Sequence, residues 1–401
     1  MERVILHCDC NCFFASVEAA LNPELNKFPF AVCGDPEQRH GIVLAKNEKA
    51  KKYGVQTGEA IWQAKAKCRN LVTVPPHYKL YKEFSEKIFR IYCRYTDLVE
   101  PFGIDECWLD VSGSTNLFGS GKEIADELRD IVKKEVGVTI SVGVSYNKIF
   151  AKMGSDYKKP DATTEITTEN FKTLLYGLPA GDLFMAGRKT SEKLRSIGIR
   201  TIGDLAKTDE KLLVRILGEN GRMLLRYAKG YDYSPVLPFD YKTAYKSIGN
   251  GATFKRDLIS SEDVRTCVFF LCDKVAARLR KHNYECSALQ VGVKDTNLQT
   301  VQRSLQLSSP TDLAFDLRRA ALSVIESNFD VEKDPIRSIT VTGTKLLNGD
   351  DVCEQISLLD LEYHEKREKA NRLECAGDDI RHKYGLGTLT RCSLIENEFG
   401  I

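Results

Sequence analysis

Three carboxylates from two distant parts of the chain are the residues best suited to chemistry. Asp9 follows a short apolar segment, and Asp105 and Glu106 lie where two predicted strands meet, flanked by apolar residues. Oxygen ligands suit Mg²⁺, which proteins bind with a few carboxylates together with substrate phosphates. Two such ions can activate an attacking hydroxyl and neutralise a leaving pyrophosphate. The pattern is compatible with phosphate-transfer chemistry, and a solvated Asp-Glu hairpin is the alternative.

Predicted strands and helices would have to bring these carboxylates together. Strands are expected over residues 3–9, 41–45, 97–103, 106–112 and 139–145, and helices over 12–21, 46–53, 78–95 and 121–135. The helix at 78–95 rests on apolar residues at i, i+4 and i+8. Residues 168–230 read as short helices separated by glycines, and Pro235 and Pro238 indicate a linker.

The pattern changes after the linker. Alternating and helical periodicities predict a strand at 244–254, a helix at 261–283, strands at 287–295 and 299–307, a helix at 312–328 and a strand at 336–344. This β-α-β-β-α-β order is a known compact unit. A charged helix is expected at about 360–383.

Composition excludes several classes of protein. With 401 residues, 42% of them hydrophobic and 28% charged, the chain is neither disordered nor fibrous. It has no apolar run of about 18 residues, so no transmembrane helix is expected. The first residues do not resemble a signal peptide, and the 13 cysteines have irregular spacings. We therefore expect reduced thiols in a cytoplasmic protein with no membrane partner.

Charge is unevenly distributed along the chain. Residues 1–167 are neutral, residues 168–345 carry +7 and residues 346–401 carry −5, within a total of +2. A basic segment joined to a neutral one fits a polyanion-binding module beside a catalytic body, although ordinary surface charge has the same appearance.

Three segments resemble motifs of the Y-family DNA polymerases, in their DNA polymerase IV branch. His7–Glu18 (HCDCNCFFASVE) resembles the first motif, and Phe102–Val111 (FGIDECWLDV) resembles "SIDEAYLDV". Ser145–Lys152 with Asp156–Pro160 resembles "SxNKxxAKxASxxxKP". The likeness runs from about residue 3 to 345 in the family's order and spacing.

The resemblance implies an α+β right-hand polymerase. It assigns the palm to 1–10 and 78–167, the fingers to 11–77, a thumb to 168–235, a linker to 236–243, a βαββαβ little finger to 244–345 and a tail to 346–401. The expected activity is template-directed, low-fidelity, non-proofreading translesion DNA synthesis by two-metal-ion nucleotidyl transfer. The chain is expected to act as a monomer. Its expected substrates are primer-template DNA and dNTP.

Site residues follow from the same resemblance. The resemblance assigns four groups as ligands of two Mg²⁺ ions: the side chains of Asp9, Asp105 and Glu106 and the backbone carbonyl of Cys10. Phe14 matches the steric gate against a ribose 2′-hydroxyl, with Phe13 as the more natural core residue. The nucleotide-binding set is Phe13, Phe14, Lys51 and Lys159, and the backbone N–H groups of the turn from Cys10 to Phe14 are expected to face the same phosphates.

The fingers depart from the family pattern. Relatives have "NYEARKFGV" where this chain has Asn47–Val55 (NEKAKKYGV), so Glu48 replaces a phosphate-binding tyrosine and Lys51 replaces an arginine. A carboxylate near triphosphate is repulsive. We therefore expect Glu48 to turn away or to meet Lys49, Lys52 or a metal. Asn11 and Gly103 also differ from the common residues.

Two other segments suggest DNA and protein contacts. Residues 185–205 resemble a helix-hairpin-helix, with DNA-binding residues Gly187, Lys189 and Thr190, although Met185 replaces the first glycine and a plain helical hairpin is the alternative. Residues 354–359 (EQISLL) resemble the peptide that binds the sliding clamp, through Gln355, Leu358 and Leu359. The run of Cys8, Cys10 and Cys12 lacks the spacing of a zinc site and favours buried thiols.

Two alternatives stay open. A polymerase V-type mutagenic polymerase shares these motifs but needs accessory subunits. A catalytically weak DNA-binding or clamp-recruiting protein is the other, because of Glu48 and Asn11.

Overall fold

Short strands and helices alternate through the first part of the chain. The computed structural model describes residues 3–37, 39, 41–241, 243–351, 361–385, 388–395 and 397–401. The first elements are β1 (Ile5–Cys10), α1 (Phe13–Leu21), β2 (Phe30–Cys33), β3 (Val43–Lys46), α2 (Glu48–Lys52), α3 (Ile61–Lys67), β4 (Val72–Val74), α4 (Tyr78–Tyr92), β5 (Val99–Pro101), β6 (Glu106–Asp110), α5 (Thr115–Phe118), α6 (Gly121–Val136), β7 (Ile140–Ser145), α7 (Lys148–Tyr157) and β8 (Thr163–Ile166).

A five-stranded sheet carries the first motif at its centre. Its strand order is β5-β6-β1-β7-β8, with β1 antiparallel to both neighbours and β7 parallel to β8. All six residues of β1 are buried, because helices cover both faces of the sheet. Helix α6 begins with a capping box in which Ser120 and Glu123 exchange hydrogen bonds, and it ends at Gly137 in the left-handed conformation.

A smaller sheet lies between β1 and α4 in the sequence. Its order is β3-β2-β4, with β2 antiparallel to β3 and parallel to β4. Helix α2 begins at Asn47, whose side chain accepts a hydrogen bond from the Ala50 amide. A separate core of small apolar side chains, including Val43, Ala50 and Ala64, supports this sheet.

Five short helices follow the first sheet. They are α8 (Phe171–Leu175), α9 (Arg188–Ser196), α10 (Ile202–Lys207), α11 (Glu210–Leu217) and α12 (Glu219–Ala228). Their apolar faces form one core with the start of α7, around Phe150, Leu194 and Leu224. This confirms the expected run of short helices.

The segment after the linker has the predicted β-α-β-β-α-β order. Its elements are β9 (Ser247–Leu258), α13 (Ser261–Lys281), β10 (Tyr284–Asp295), β11 (Thr300–Thr311), α14 (Ala314–Asn328) and β12 (Ile336–Asn348). The strands form an antiparallel sheet in the order β11-β10-β12-β9. Ser260 caps α13, and both helices pack on the sheet over a core that includes Leu271 and Val291.

The C-terminal segment packs on this second sheet-and-helix unit. Helix α15 (Leu361–Tyr384) supplies Glu374 and Asp378, which accept hydrogen bonds from Arg280 of α13 at 2.7 and 2.8 Å. Phe399 is 8% exposed and belongs to the same core. The acidic tail therefore neutralises arginines of the basic segment.

Contacts divide the chain into two compact units. The first contains Met1–Gly34 and Ile42–Lys242, and the second contains Asp35–Gly41 and Thr243–Ile401. The boundary near 242 lies within residues 236–243, and the division into palm, fingers, thumb, linker, little finger and tail stays a prediction. Across the described ranges no helix is long and apolar enough to cross a membrane.

Sequence patterns missed several short elements. The strands β2, β4 and β8 and the helices α3 and α7 were not predicted. Strand β2 has four residues between Pro29 and Gly34, too few to show a period, and the flanking residues suggested a break.

Candidate active site

Antiparallel pairing brings the three carboxylates together. Asp9, near the end of β1, is the register partner of Glu106, the first residue of β6. Such partners have Cα atoms about 4.5–5.5 Å apart. The Cys10 amide donates a hydrogen bond of 3.0 Å to the carbonyl of Asp105. Asp9, Asp105 and Glu106 all line one cavity of about 420 Å³.

Two lysines hold the carboxylates in place. The Lys159 ammonium lies 2.6 Å from Asp9 Oδ2 and 2.7 Å from Asp156 Oδ1, and the Lys152 ammonium pairs with Glu106. Sequence reasoning gave Lys159 a phosphate role but overlooked Lys152. The sequence could have identified Lys152, because this residue is the last of the NKIFAK segment in the third motif.

The carboxylates differ in their ease of ionisation. Burial raises the pKa of Asp9 to about 6, which Lys159 only partly offsets. Burial also raises the pKa of Asp105, and the neighbouring charge of Glu106 adds to it. Burial alone would raise the pKa of Glu106, but hydrogen bonds with His7 and Lys152 outweigh it and hold this pKa at about 2. The cavity therefore concentrates negative charge that a cation would stabilise.

His7 is a further site residue that the sequence did not reveal. It is fully buried, with Nε2 at 3.2 Å from Glu106 Oε2 and Nδ1 at 2.8 Å from Ser155 Oγ. Burial lowers its pKa to about 4, so the imidazole is neutral at pH 7. The Ser155 hydroxyl also donates a hydrogen bond of 2.8 Å to the Lys152 carbonyl, so Ser155 connects His7 to the backbone of α7.

The donor set is suited to a hard divalent cation. Within the described ranges, no three His, Cys, Asp or Glu side chains are arranged to hold a metal ion, and lysines contact Asp9 and Glu106 instead. Asp9 is buried and Asp105 is half-buried on one cavity wall, and both have a raised pKa; their carboxylates are nevertheless oxygen ligands of the kind Mg²⁺ prefers. The thiols of Cys8 and Cys10 are free, buried and protonated, because burial raises their pKa.

The start of α1 lies at the cavity, but part of the expected phosphate cradle is already occupied. The Cys10 amide donates to Asp105, and the Asn11 amide donates to the Thr139 carbonyl. The expectation that all N–H groups from Cys10 onward face a ligand is therefore wrong for these two. Cys12 precedes the helix in the left-handed conformation, with φ of 50°, which leaves the amides of the first helical turn at the cavity end.

Phe13 and Phe14 take different environments. Phe13 is 3% exposed and lies in the core, whereas Phe14 is half-buried. The Phe14 ring stacks on Tyr81 at 4.2 Å between centroids and meets Tyr78 edge-on at 6.0 Å. Both phenylalanines line the cavity. The two tyrosines fix the Phe14 ring in place.

The contacts of Glu48 differ from those expected from the sequence. Glu48 lines the cavity and contacts the Lys51 ammonium at 3.4 Å, and the Cys12 thiol donates to the same Glu48 oxygen at 3.4 Å. It neither turns away nor pairs with Lys49 or Lys52, and its ion-pair contact is with Lys51, three residues along α2. Lys46 of β3 also lines the cavity and was not singled out from the sequence.

The three residues expected to contact DNA lie at the start of α9. Gly187 precedes the helix, and Gly187 and Lys189 are exposed while Thr190 is half-buried. Met185 adopts φ of 70°, a left-handed conformation that glycine takes without strain. Met185 therefore has the backbone conformation that the first glycine of the motif would adopt. The residues that the resemblance assigns to clamp binding, Gln355, Leu358 and Leu359, lie outside the described residues.

Known proteins resemble both units of the chain. The impB/mucB/samB family matches residues 8–156, and the C-terminal domain of that family matches residues 245–358. A DNA polymerase IV from Acetivibrio thermocellus is 47% identical over 99% of this chain and 98% of its own length. One from Clostridium kluyveri is 34% identical over 99% of each. A solved Y-family DNA polymerase chimera, 23% identical, has a TM-score of 0.76 and shares the fold over 86% of this chain and 99% of its own.

Proposed function

The chain belongs to the impB/mucB/samB family, in the DNA polymerase IV branch of the Y-family DNA polymerases, and from this premise we propose how its cavity performs the reaction. It is a DNA-directed DNA polymerase of the translesion class, acting on primer-template DNA and dNTP. The observation that carries the proposal is the meeting of Asp9, Asp105 and Glu106 on one cavity wall.

The three carboxylates would hold two Mg²⁺ ions, together with the Cys10 carbonyl. When bound, the ions would lower the pKa of the primer 3′-hydroxyl and neutralise the departing pyrophosphate. Lys159 would exchange its contact with Asp9 for one with the triphosphate, since its flexible stem and compact charge allow both. His7 and Lys152 keep Glu106 ionised and oriented. Phe14, held by Tyr81, would occupy the space of a ribose 2′-hydroxyl.

Two further contacts are part of the proposal. Gly187, Lys189 and Thr190 would bind a DNA phosphate at the exposed start of α9, independently of sequence. The sliding clamp would be bound by Gln355, Leu358 and Leu359. The polymerase itself would act as a monomer.

Primer extension with added Mg²⁺ tests the central assignment. Asp105→Ala should reduce the extension rate by about 100- to 1000-fold or more, because a charge-stabilising group is lost at the reacting centre. DNA affinity, measured by fluorescence anisotropy, should stay near that of the wild type. The matched control is Asp130→Ala, on the exposed side of α6. Extension by the Asp105 variant at the wild-type rate would refute the assignment, and an inactive wild-type chain would favour a DNA-binding or recruiting role.

A further inference from the structure

The cavity contains more negative than positive side chains. Its lining includes four carboxylates and three lysines: Asp9, Glu48, Asp105, Glu106, Lys46, Lys51 and Lys159. A nucleoside triphosphate carries several negative charges, so its binding depends on which lysines can offer a full positive charge. The three lysines differ sharply in this respect.

Two of the lysines already face carboxylates. Lys159 lies 2.6 Å from Asp9 and 2.7 Å from Asp156. Lys51 lies 3.4 Å from Glu48. Binding of phosphate by either lysine competes with an existing ion pair, and at Lys51 the carboxylate itself lies in the cavity wall.

Lys46 has a neutral partner instead. Its ammonium donates a hydrogen bond of 3.1 Å to the hydroxyl of Thr57, which also lines the cavity. Among the residues that the structure describes, no carboxylate lies within ion-pair distance of Lys46. The acidic side chain near it, Glu59, is paired with Lys67. Lys46 therefore has no ion-pair contact to give up within the described part of the chain, and the bond to Thr57 restricts where the ammonium points.

We propose that Lys46 is a nucleotide-binding residue that contacts the triphosphate, and that Glu48 limits the contribution of Lys51. This inference rests on the proposed function, because it assigns a residue to the dNTP site of the polymerase. Lys46 supplies the positive charge that the Glu48–Lys51 pair withholds. Two substitutions should then act in opposite directions, since removing the Lys46 charge weakens binding and removing the Glu48 charge releases Lys51.

The test measures dNTP binding to the enzyme on a primer ended with a dideoxynucleotide, so that no chemistry occurs. Lys46→Met should raise the Kd for the correct dNTP by about 10- to 100-fold, the loss typical of a charge-assisted contact. Glu48→Gln should lower the Kd about threefold or more. Lys52→Met is the matched control, because Lys52 is exposed on α2 and does not line the cavity.

The outcomes are separable. The inference is supported if Lys46→Met weakens dNTP binding at unchanged DNA affinity and Glu48→Gln strengthens it. It is overturned if Lys46→Met binds dNTP like the Lys52 control, or if the loss falls on DNA affinity instead. A failure of the wild type to extend an ordinary primer would refute the proposed function, whereas the Lys46 result alone would leave that function standing.

Discussion

The carboxyl groups of Glu106 and Asp9 have different pKa values because their neighbours differ. Glu106 is ionised because His7 and Lys152 oppose the effect of burial and hold its pKa at about 2. Lys159 contacts Asp9 at 2.6 Å, but burial outweighs this contact and keeps the pKa of Asp9 raised at about 6. Ionisation is therefore more costly for Asp9 than for Glu106.

Phe14→Ala should relax discrimination between sugars. The Phe14 ring is fixed by stacking on Tyr81, so its removal opens space that the neighbouring side chains do not fill. Incorporation of ribonucleotides should rise about tenfold or more relative to dNTP, measured as the ratio of kcat/KM values.

Phe14→Leu is the accompanying variant, because it keeps an apolar side chain and should show a smaller effect. An unchanged sugar ratio in Phe14→Ala would remove the gate role from this ring.

Helix α7 packs on the first sheet and carries side chains that contact charged residues of the active site. It carries Lys152, Ser155 and Asp156, which contact Glu106, His7 and Lys159. It lies so close to β7 that two glycines, Gly143 and Gly154, face each other across the contact. Placement of these charges therefore depends on backbone packing.

Gly143→Ala should destabilise the first unit and disturb the cavity. The added Cβ would lie 1.8 Å from the Ala151 carbonyl oxygen and 2.4 Å from the Ser155 nitrogen, so α7 would have to move. We expect a loss of about 3 kcal/mol in the free energy of unfolding, measured by urea denaturation, with reduced extension by the folded fraction.

Gly113→Ala is the control, since a Cβ at that position meets no atom within 4 Å. Equal stability of the two alanine variants would contradict the packing argument.

Asp161→Asn should give a pH-dependent loss of stability. Asp161 pairs with Arg129 at 2.9 Å and Lys133 at 3.0 Å. Burial raises the pKa of Asp161, but hydrogen bonds from these cations outweigh it and lower the pKa overall. The stabilisation is thus complete above the unfolded-state pKa of about 3.9 and disappears as the pH falls through the folded-state pKa.

We expect the variant to lose about 1 kcal/mol at pH 7 and nothing once Asp161 is protonated in both states. Urea denaturation at several pH values measures this, with Asp130→Asn as the control. A loss that is independent of pH would argue against the ion pairs as its origin.

The second unit extends beyond the β-α-β-β-α-β segment. Helix α15 and the last residues pack on it through Arg280 and through the buried ring of Phe399. Phe399 also lies beneath the guanidinium of Arg256, 4.6 Å from its ring centroid, and Arg256 pairs with Glu398. Helix α15 and residues 397–401 are therefore part of the folded unit.

Phe399→Ala should destabilise this unit. The ring is 8% exposed and contacts the same core as Phe254, so truncation leaves a cavity that costs about 3 kcal/mol. The measurement is urea denaturation followed by circular dichroism. Ile395→Ala is the control, because Ile395 is 59% exposed. Similar effects of the two substitutions would show that the C-terminal segment does not contribute through burial of Phe399.

The sequence by itself determined the carboxylate set, the family and the order of elements in the second unit. These depend on local information: residue types at fixed spacing, periodic apolar positions and caps such as Ser260. Only the tertiary structure decided which charges meet. The pairing of Glu48 with Lys51, the neutral partner of Lys46 and the burial of Phe399 depend on side chains brought together by folding. Their energies come from distance and burial, which no spacing in the chain specifies.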